Sequence, residues 1–220
     1  MRTAIAAACA LGALILAPAA QAAKKAIGAD NAAALGGQTI VLTERALPDF
    51  AAMTPAKAQA GIAGAFMMTG VGNGIVRDNH IEDPAVLMGA DLVQALAAAR
   101  GATVVEAPVA VKGQSPKDIA VAAGEAKYVL DVATIYWGYL YQSFDWEHYN
   151  VLYTARLKLI DATSKTVIAE GFCKWKPAKD ARLPNAEELL ANEAAEVKAQ
   201  LAQARAACTA EFKRDALGGI

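Results

Sequence analysis

Residues 128–175, YVLDVATIYWGYLYQSFDWEHYNVLYTARLKLIDATSKTVIAEGFCKW, decide the fold of this chain. All six tyrosines lie between Tyr128 and Tyr153, together with two of the three tryptophans. Aromatic and β-branched residues fit the pleated, half-buried surface of a sheet. The stretch therefore predicts a three-stranded antiparallel meander, on which the rest of the chain packs.

The clearest strand of the meander begins at Val151 and ends at Asp161. Its side chains alternate, so that one face is apolar while the other carries Thr154, Arg156 and Lys158. A period of two indicates a half-buried strand, because successive side chains point to opposite faces of a sheet.

Two strand-like runs, 127–141 and 166–175, flank this strand. Residues 162–165 suit a tight turn, since Ser164 and the preceding Asp161 can hydrogen-bond to nearby backbone. The other connection, 142–148, is too long for a two-residue hairpin. It brings aromatic residues to the place where two strands turn, and strand ends are usually polar.

The aromatic residues have two interpretations. In the first they fill the core and pair across strands, which applies best to Tyr128, Tyr136 and Tyr153. In the second they form a recognition surface at the end of the hairpin, because an exposed aromatic cluster indicates a protein, glycan or membrane partner. The candidate contact residues are Tyr139, Tyr141, Phe144, Trp146 and Tyr149.

The first 22 residues have the features of a secretory signal peptide. A basic Met-Arg start is followed by an apolar core at 4–16 and an Ala-x-Ala site at 20–22. The apolar core is too short to span a bilayer. Cleavage at this site predicts a periplasmic or secreted protein that begins at Ala23. A lipid anchor on Cys9 is the alternative, but most of the apolar core follows that cysteine.

The charge balance argues against nucleic acid as a partner. The chain has 21 Lys and Arg against 22 Asp and Glu, and removal of the leader takes away only one of these, Arg2. Such a balance gives no basic footprint for a phosphate backbone.

Two cysteines remain after processing, Cys173 and Cys208. A lone pair in an exported chain usually closes into a disulfide. Cys173 lies near the end of the third meander strand and Cys208 on the apolar stripe of the last predicted helix, so the two sulfurs meet if that helix crosses the sheet. Two free buried thiols are the alternative. A catalytic redox pair is not supported, because the Cys-x-x-Cys spacing is absent.

An uncharged Ala/Gly-rich segment spans residues 58–76. Its Gly-x-Gly-x-Gly run at 70–74 lacks the Lys-Ser/Thr and the strand–turn–helix setting of a phosphate loop. The simplest interpretation is a buried helix that ends in a glycine loop near Gly70. Small residues also permit close helix packing in a bilayer, so the alternative is peripheral contact with a membrane or insertion of this segment into it.

Other signals mark the ends of helices and strands. Residues 23–37 are interpreted as a flexible lead, followed by a first strand at 38–44. Asp83 before a proline predicts a helix start, because Asp caps the helix and proline suits its first position. The pattern at 185–188 resembles a capping box for the last helix.

The order of these elements predicts a single α+β domain over residues 38–220. The antiparallel meander (about 127–176) lies within a mixed sheet, which helices cover, including a long C-terminal helix (about 186–214).

No residue pattern indicates a catalytic, metal or cofactor site. His80 and His148 each have acids nearby in sequence, but neither has the two-histidine helical spacing of a zinc site. We interpret both as solvated loop residues and expect no catalytic activity. The alternative is an enzyme with an unrecognised site, which would need a deep pocket lined by one of these histidines and converging acids.

The hairpin 155–168, ARLKLIDATSKTVI, resembles the hairpin of small bacterial envelope proteins of the LpoB and curli-secretion accessory type. In those proteins a Leu-Ile-Asp-x-Thr-Gly-Lys corner joins two sheet strands, and Ser164 stands here in place of the glycine. The resemblance covers this hairpin and the order of elements. It implies an envelope accessory protein that works by binding and not by catalysis.

We therefore expect a periplasmic binding or scaffolding protein of the cell envelope, with the aromatic end of the hairpin as its contact surface. Its partner would be another envelope protein or a glycan. A different class of function is a membrane-associated assembly component that inserts residues 58–76.

Overall fold

The sheet joins the predicted meander to strands from the first half of the chain. A computed structural model describes residues 24–53, 61–142 and 145–220, with side chains for all of these except 61–69 and 146. The strands are β1 (Thr39–Glu44), β2 (Ala51–Ala52), β3 (Thr103–Val104), β4 (Val109–Ala110), β5 (Tyr128–Gln142), β6 (Asp145–Asp161) and β7 (Thr166–Trp175). The helices are α1 (Ala29–Ala33), α2 (Gly61–Asp78), α3 (Pro84–Arg100), α4 (Pro116–Ala122) and α5 (Ala186–Glu211), followed by a π-helical turn (Phe212–Ala216).

The sheet is mixed. Its strand order is β3-β1-β5-β6-β7, with β4 paired to β1 and β2 paired to β5. Strand β1 runs parallel to β3, β4 and β5, whereas β5, β6 and β7 are antiparallel to one another. This arrangement, with helices packed on the sheet, confirms the predicted α+β fold and its meander.

The alternation along β6 separates a core face from a polar face. Val151, Tyr153 and Leu157 are fully buried beneath helices α3 and α5. Arg156 and Lys158, on the opposite face, are half-buried. Helix α4 covers a second, smaller apolar cluster on that face, around Val129 and Ile160.

A disulfide ties the last helix to the sheet. Cys173 on β7 and Cys208 on α5 are bonded, with their Cα atoms 5.5 Å apart. The predicted pairing is therefore confirmed. The bond closes a loop with a sequence separation of 35 residues.

The last helix is not the single straight rod that we expected over 186–214. Its backbone leaves helical geometry at residues 191–194, where Asn192, Glu193 and Ala194 all have positive φ. The π-helical turn after Glu211 carries the chain on to Ala216. The helical part after the break carries the apolar stripe that packs on the sheet.

Two helix starts follow the capping signals in the sequence. The Asp83 carboxylate accepts the backbone N–H of Ala85 at 2.9 Å, and Pro84 occupies the first turn of α3. Asn185 and Glu188 form the predicted capping box of α5.

The expected flexible lead is wrong for residues 24–37. Lys25 exchanges two backbone hydrogen bonds with Glu170 on β7, each 2.8 Å long. Leu35 is fully buried, and α1 forms between these points. The apolar side chains and the free edge of β7 explain why this segment packs on the domain. The predicted signal peptide, residues 1–22, lies outside the described residues and stays a prediction.

The expected glycine loop near Gly70 is also wrong, because α2 continues through it to Asp78. Gly72 faces the backbone of Phe50 so closely that an added Cβ would lie 1.8 Å from the Phe50 carbonyl oxygen. None of the helices in the described part of the chain has the length and hydrophobicity of a membrane span. Peripheral membrane contact by residues 58–76 stays a prediction.

Candidate functional site

The end of the β5–β6 hairpin extends past the end of β7. Tyr153 pairs with Trp137 on one side and with Trp175, the last residue of β7, on the other. We define residues 138–152 as the hairpin end, and its described residues, 138–142 and 145–152, lie past the end of β7. Strand β6 begins at Asp145, so the expected long connection over 142–148 is wrong: the two strands continue pairing up to Gln142 and Asp145.

Both sides of the hairpin end are supported by other parts of the chain. On the β5 side, β2 pairs with Gly138 and Tyr139, and the Met53 N–H donates to the Tyr139 carbonyl at 3.1 Å. Gly138 has φ 156, and a Cβ there would lie 2.1 Å from the Ala51 carbonyl oxygen. On the β6 side, the Tyr149 N–H donates to the Pro184 carbonyl at 2.9 Å.

Five rings form a continuous aromatic stack from the core to the hairpin end. Phe50 contacts Trp137 edge-on at 5.1 Å between ring centroids and Tyr139 at 5.9 Å. Tyr149 contacts Tyr139 at 5.4 Å and Tyr141 at 4.6 Å. The Trp137 indole N–H donates to the Pro48 carbonyl at 2.9 Å, so the polar atom of the deepest ring is satisfied. Such edge-on contacts favour one fixed arrangement of the rings.

The stack changes the role of two predicted contact residues. Tyr139 and Tyr149 are 3% and 2% exposed, so the expectation that they face solvent is wrong. Their rings fill the space between β2, β5 and β6. Tyr141 is half-buried. Phe144 and the side chain of Trp146 lie outside the described residues, and their contact role stays a prediction.

Two phenols of the stack, Tyr139 and Tyr149, have raised pKa values. Burial raises the pKa of Tyr139 to about 12, and the neighbouring Tyr141 adds to the shift. The pKa of Tyr149 is raised by burial and by its hydrogen bond to Tyr141. The core interpretation is confirmed for Tyr128 and Tyr153, which are buried, whereas Tyr136 is half-buried.

A charged group lies beside the rings at the hairpin end. The Asp145 carboxylate accepts the backbone N–H of Glu147 at 3.0 Å and contacts Nδ1 of His148 at 2.8 Å. These hydrogen bonds hold the pKa of Asp145 below its usual range, and the bond from the Glu147 backbone has the larger effect. The hairpin end therefore presents a fixed carboxylate next to its aromatic residues.

A buried polar network lies deeper, where α3 meets the sheet. Asp83 accepts a hydrogen bond from the Thr134 hydroxyl, and that hydroxyl is 2.9 Å from the Tyr153 hydroxyl. Burial raises the pKa of Asp83, although the bonds from Thr134 and from the Ala85 N–H oppose the shift. The network satisfies polar atoms in the core and connects the helix cap to β5 and β6.

No pattern in the sequence indicates a cleft beside His80. His80 lines a cleft of about 300 Å³ together with one acid, Glu82, and two basic residues of α5. The enzyme alternative would need several acids that converge on the histidine. Within the described residues, no group of three or more His, Cys, Asp or Glu side chains is placed to hold a metal ion.

No family model and no curated protein matches the chain. Among solved structures it is similar to the PelC dodecamer from Paraburkholderia phytofirmans, at 14% identity over 84% of this chain and 93% of that chain, with a TM-score of 0.35. It is also similar to lipoprotein GNA1162 from Neisseria meningitidis, at 13% identity over 76% of this chain and 99% of that one, with a TM-score of 0.28. The LpoB C-terminal domain from Salmonella enterica gives 13% identity, 64% and 83% coverage and a TM-score of 0.29. The LpoB type is the one that hairpin 155–168 resembles, but likenesses this loose assign no function to the chain.

Proposed function

We propose that this chain is a non-catalytic binding protein of the cell envelope, in the periplasm or secreted, and that the hairpin end contacts its partner. The compartment is supported by the predicted leader and by the Cys173–Cys208 disulfide, since such bonds persist in oxidising compartments.

The observation that carries the proposal is the extension of the hairpin end past β7, with the aromatic stack behind it. A hairpin that is fixed by β2, by Pro184 and by buried rings loses little conformational entropy when it binds. The buried rings of Tyr139 and Tyr149 support the hairpin end from its core side. The contacts are assigned to Tyr141, Phe144 and Trp146, because large amphipathic rings dominate the energetics of binding surfaces.

The partner is proposed to be another envelope protein. The test is in-cell photo-crosslinking with benzoylphenylalanine in place of Trp146, and a matched probe in place of Val121 on α4. Val121 is 72% exposed, and α4 packs near Val129, at the end of the β5–β6 pair opposite the hairpin end. We expect one discrete adduct at position 146 that protease removes, and none at position 121.

The double variant Phe144→Ala, Trp146→Ala completes the test. We expect it to keep the far-UV circular dichroism and the disulfide of the wild type, while the adduct from a probe at Tyr141 disappears. An adduct that resists protease but is degraded by a muramidase would make the partner a glycan. Equal crosslinking at 121 and 146, or unfolding of the double variant, would refute the proposed contact surface.

A further inference from the structure

The cleft beside His80 lies between the start of α3 and one face of α5. Helix α5 contributes Lys198, Leu201, Ala202 and Arg205, which lie at positions i, i+3, i+4 and i+7 and therefore share one helix face. The opposite wall is formed by residues 80–82, Pro84 and Leu87. The cleft has a volume of about 300 Å³, within the range of small-molecule sites.

The floor of this cleft is apolar. Ile81 and Leu201 are buried at its base, while Leu87 is 41% exposed on α3 at its side. Exposed leucines are common, but one that faces a cleft with a buried apolar base offers surface to a ligand. The floor therefore suits the hydrocarbon part of a small molecule.

The rim of the cleft is basic. Lys198 and Arg205 have no Asp or Glu three or four positions away on α5, so their own helix does not neutralise them. Among the described residues neither side chain makes a hydrogen bond or an ion pair, and Glu82 is the single carboxylate that lines the cleft. Two positive charges against one negative charge favour an anionic group.

His80 occupies a backbone position that favours glycine. The Ile81 N–H donates to the Val76 carbonyl at 2.9 Å and the His80 N–H to the Arg77 carbonyl at 3.3 Å, which is the hydrogen-bond pattern of a Schellman motif at the end of α2. His80 sits at the left-handed position of this motif with φ 51. A side chain retained in a conformation that glycine adopts more easily points to a role for that side chain.

The same histidine links the cleft to a neighbouring one. His80 and Ile81 also line a second cleft of about 470 Å³, whose other polar residues are Asn73 and Arg77. Its remaining lining includes Leu47 and Pro48. The two clefts meet at His80, so the apolar surface continues past this residue. Arg77 of the second cleft pairs with Asp78 at 2.9 Å, so the unpaired basic charge lies in the first cleft.

We propose that the cleft between α3 and α5 binds a small amphiphilic acid, with the acidic group held by Lys198, Arg205 and His80 and the apolar part on Ile81, Leu87 and Leu201. This site is separate from the hairpin end, and its occupation does not depend on the function proposed there. Its volume fits a single-chain acid better than a two-chain lipid.

The first experiment compares probes of one chain length, each below its micelle concentration. We expect decanoate to shift the backbone amide resonances of Ile81 and Leu201 saturably and decanol to bind at least tenfold more weakly, because it lacks the charge. Equal binding of the two probes would overturn the proposal. Binding to phosphatidylglycerol vesicles with no response to decanoate would overturn it as well.

Variants then assign the residues. The double substitution Lys198→Gln, Arg205→Gln is expected to weaken decanoate binding at least tenfold with an unchanged melting temperature. Lys176→Gln, Lys179→Gln removes two exposed lysines from the loop after β7 and is expected to leave binding unchanged. If both double variants weaken decanoate binding equally, the net charge of the protein explains the loss and the proposed site is refuted.

His80→Gly separates ligand binding from stability. Glycine suits the left-handed backbone, so the melting temperature is expected to rise while the affinity for decanoate falls at least threefold. A rise in melting temperature with unchanged affinity would overturn the role of His80. Leu87→Gln is expected to weaken decanoate and decanol alike, and unchanged binding of both would contradict the apolar floor.

Discussion

Gly72 on α2 and Gly138 on β5 both face the backbone of the short segment that carries β2. A Cβ on Gly72 would lie 1.8 Å from the Phe50 carbonyl oxygen, and one on Gly138 would lie 2.1 Å from the Ala51 carbonyl oxygen. The segment that supports the aromatic stack is thus held between two positions without side chains. Neither glycine could gain a methyl group without moving this segment.

The first prediction concerns Gly72→Ala. The added methyl group would collide with backbone, which cannot rotate away as a side chain can, so we expect a loss of about 3 kcal/mol in the free energy of unfolding, measured by urea denaturation. Gly70→Ala is the matched control, because it lies in the same helix and an added Cβ there has no neighbour within 4 Å. The control is expected to gain about 0.5–1 kcal/mol from better helix propensity. Equal effects of the two substitutions would contradict the close approach.

The contact between Gly72 and β2 also explains why a loop is wrongly predicted for residues 70–74. Glycines at 70, 72 and 74 indicate a loop by local propensity, but the helix continues because Gly72 permits contact with β2. Propensity is a weak signal when a tertiary contact requires a small residue. The partner of that contact is about twenty residues away in sequence, so no local pattern records it.

The meander was predictable because its signal is local and repeated. Five alternating apolar residues from Val151 to Leu159 specify one face of β6, and a short turn sets its pairing with β7. The start of β6 was missed, since 145–150 lacks this alternation and pairs through an irregular register near Tyr141. The break at 191–194 has no sequence signal except Asn192, because Ala and Glu favour helix.

The second prediction concerns Asp83, whose side chain both caps α3 and accepts a hydrogen bond from Thr134. Asp83→Asn keeps an oxygen acceptor for both donors and removes a buried charge, so we expect equal or higher stability at pH 7. Asp83→Ala leaves both donors without an acceptor and is expected to lose about 2 kcal/mol. Urea denaturation of both variants measures this. An Asn variant as unstable as the Ala variant would show that the charge itself stabilises the cap.

The pH dependence of the Asp83 contribution follows from its raised pKa. The folded state binds this proton more tightly than the unfolded chain does. As the pH falls through the folded pKa, the folded state is protonated first, so this group adds to the free energy of unfolding. The difference in stability between wild type and Asp83→Asn is therefore expected to narrow as the pH falls, and a constant difference would contradict the shift.

The third prediction concerns the tyrosines at alkaline pH. Burial raises the pKa of Tyr139 to about 12, whereas an unfolded phenol ionises near pH 10. Between these values the unfolded chain has lost its proton and the folded chain keeps it, so the free energy of unfolding falls as the pH rises. For Tyr139 the loss amounts to about 2 kcal/mol by pH 12. Phenolate absorbance of the folded protein should show late-ionising tyrosines, and concentrated urea should bring all six together near pH 10.

Tyr139→Phe is the control for this titration. It keeps the ring in the stack and removes one phenol that ionises at high pH. The free energy of unfolding should therefore fall less steeply above pH 10. The pKa values of Tyr149 and Tyr153 are raised too, and some alkaline dependence remains in the variant. A single ionisation step of all six tyrosines near pH 10 in the folded wild type would contradict the buried stack.

The fourth prediction concerns the disulfide between Cys173 and Cys208. The double substitution Cys173→Ala, Cys208→Ala should lower the free energy of unfolding by about 3–4 kcal/mol, because the chain-entropy model assigns this amount to a closed loop of this length. The cross-link acts mainly on the unfolded chain, so the variant should also unfold with a steeper dependence on urea, as a more expanded denatured state exposes more surface. Non-reducing mass spectrometry of the wild type checks the premise, since two free thiols would show that the bond does not form. A variant with unchanged stability and slope would instead mean that contacts of α5 with β6 and β7 alone hold the helix on the sheet.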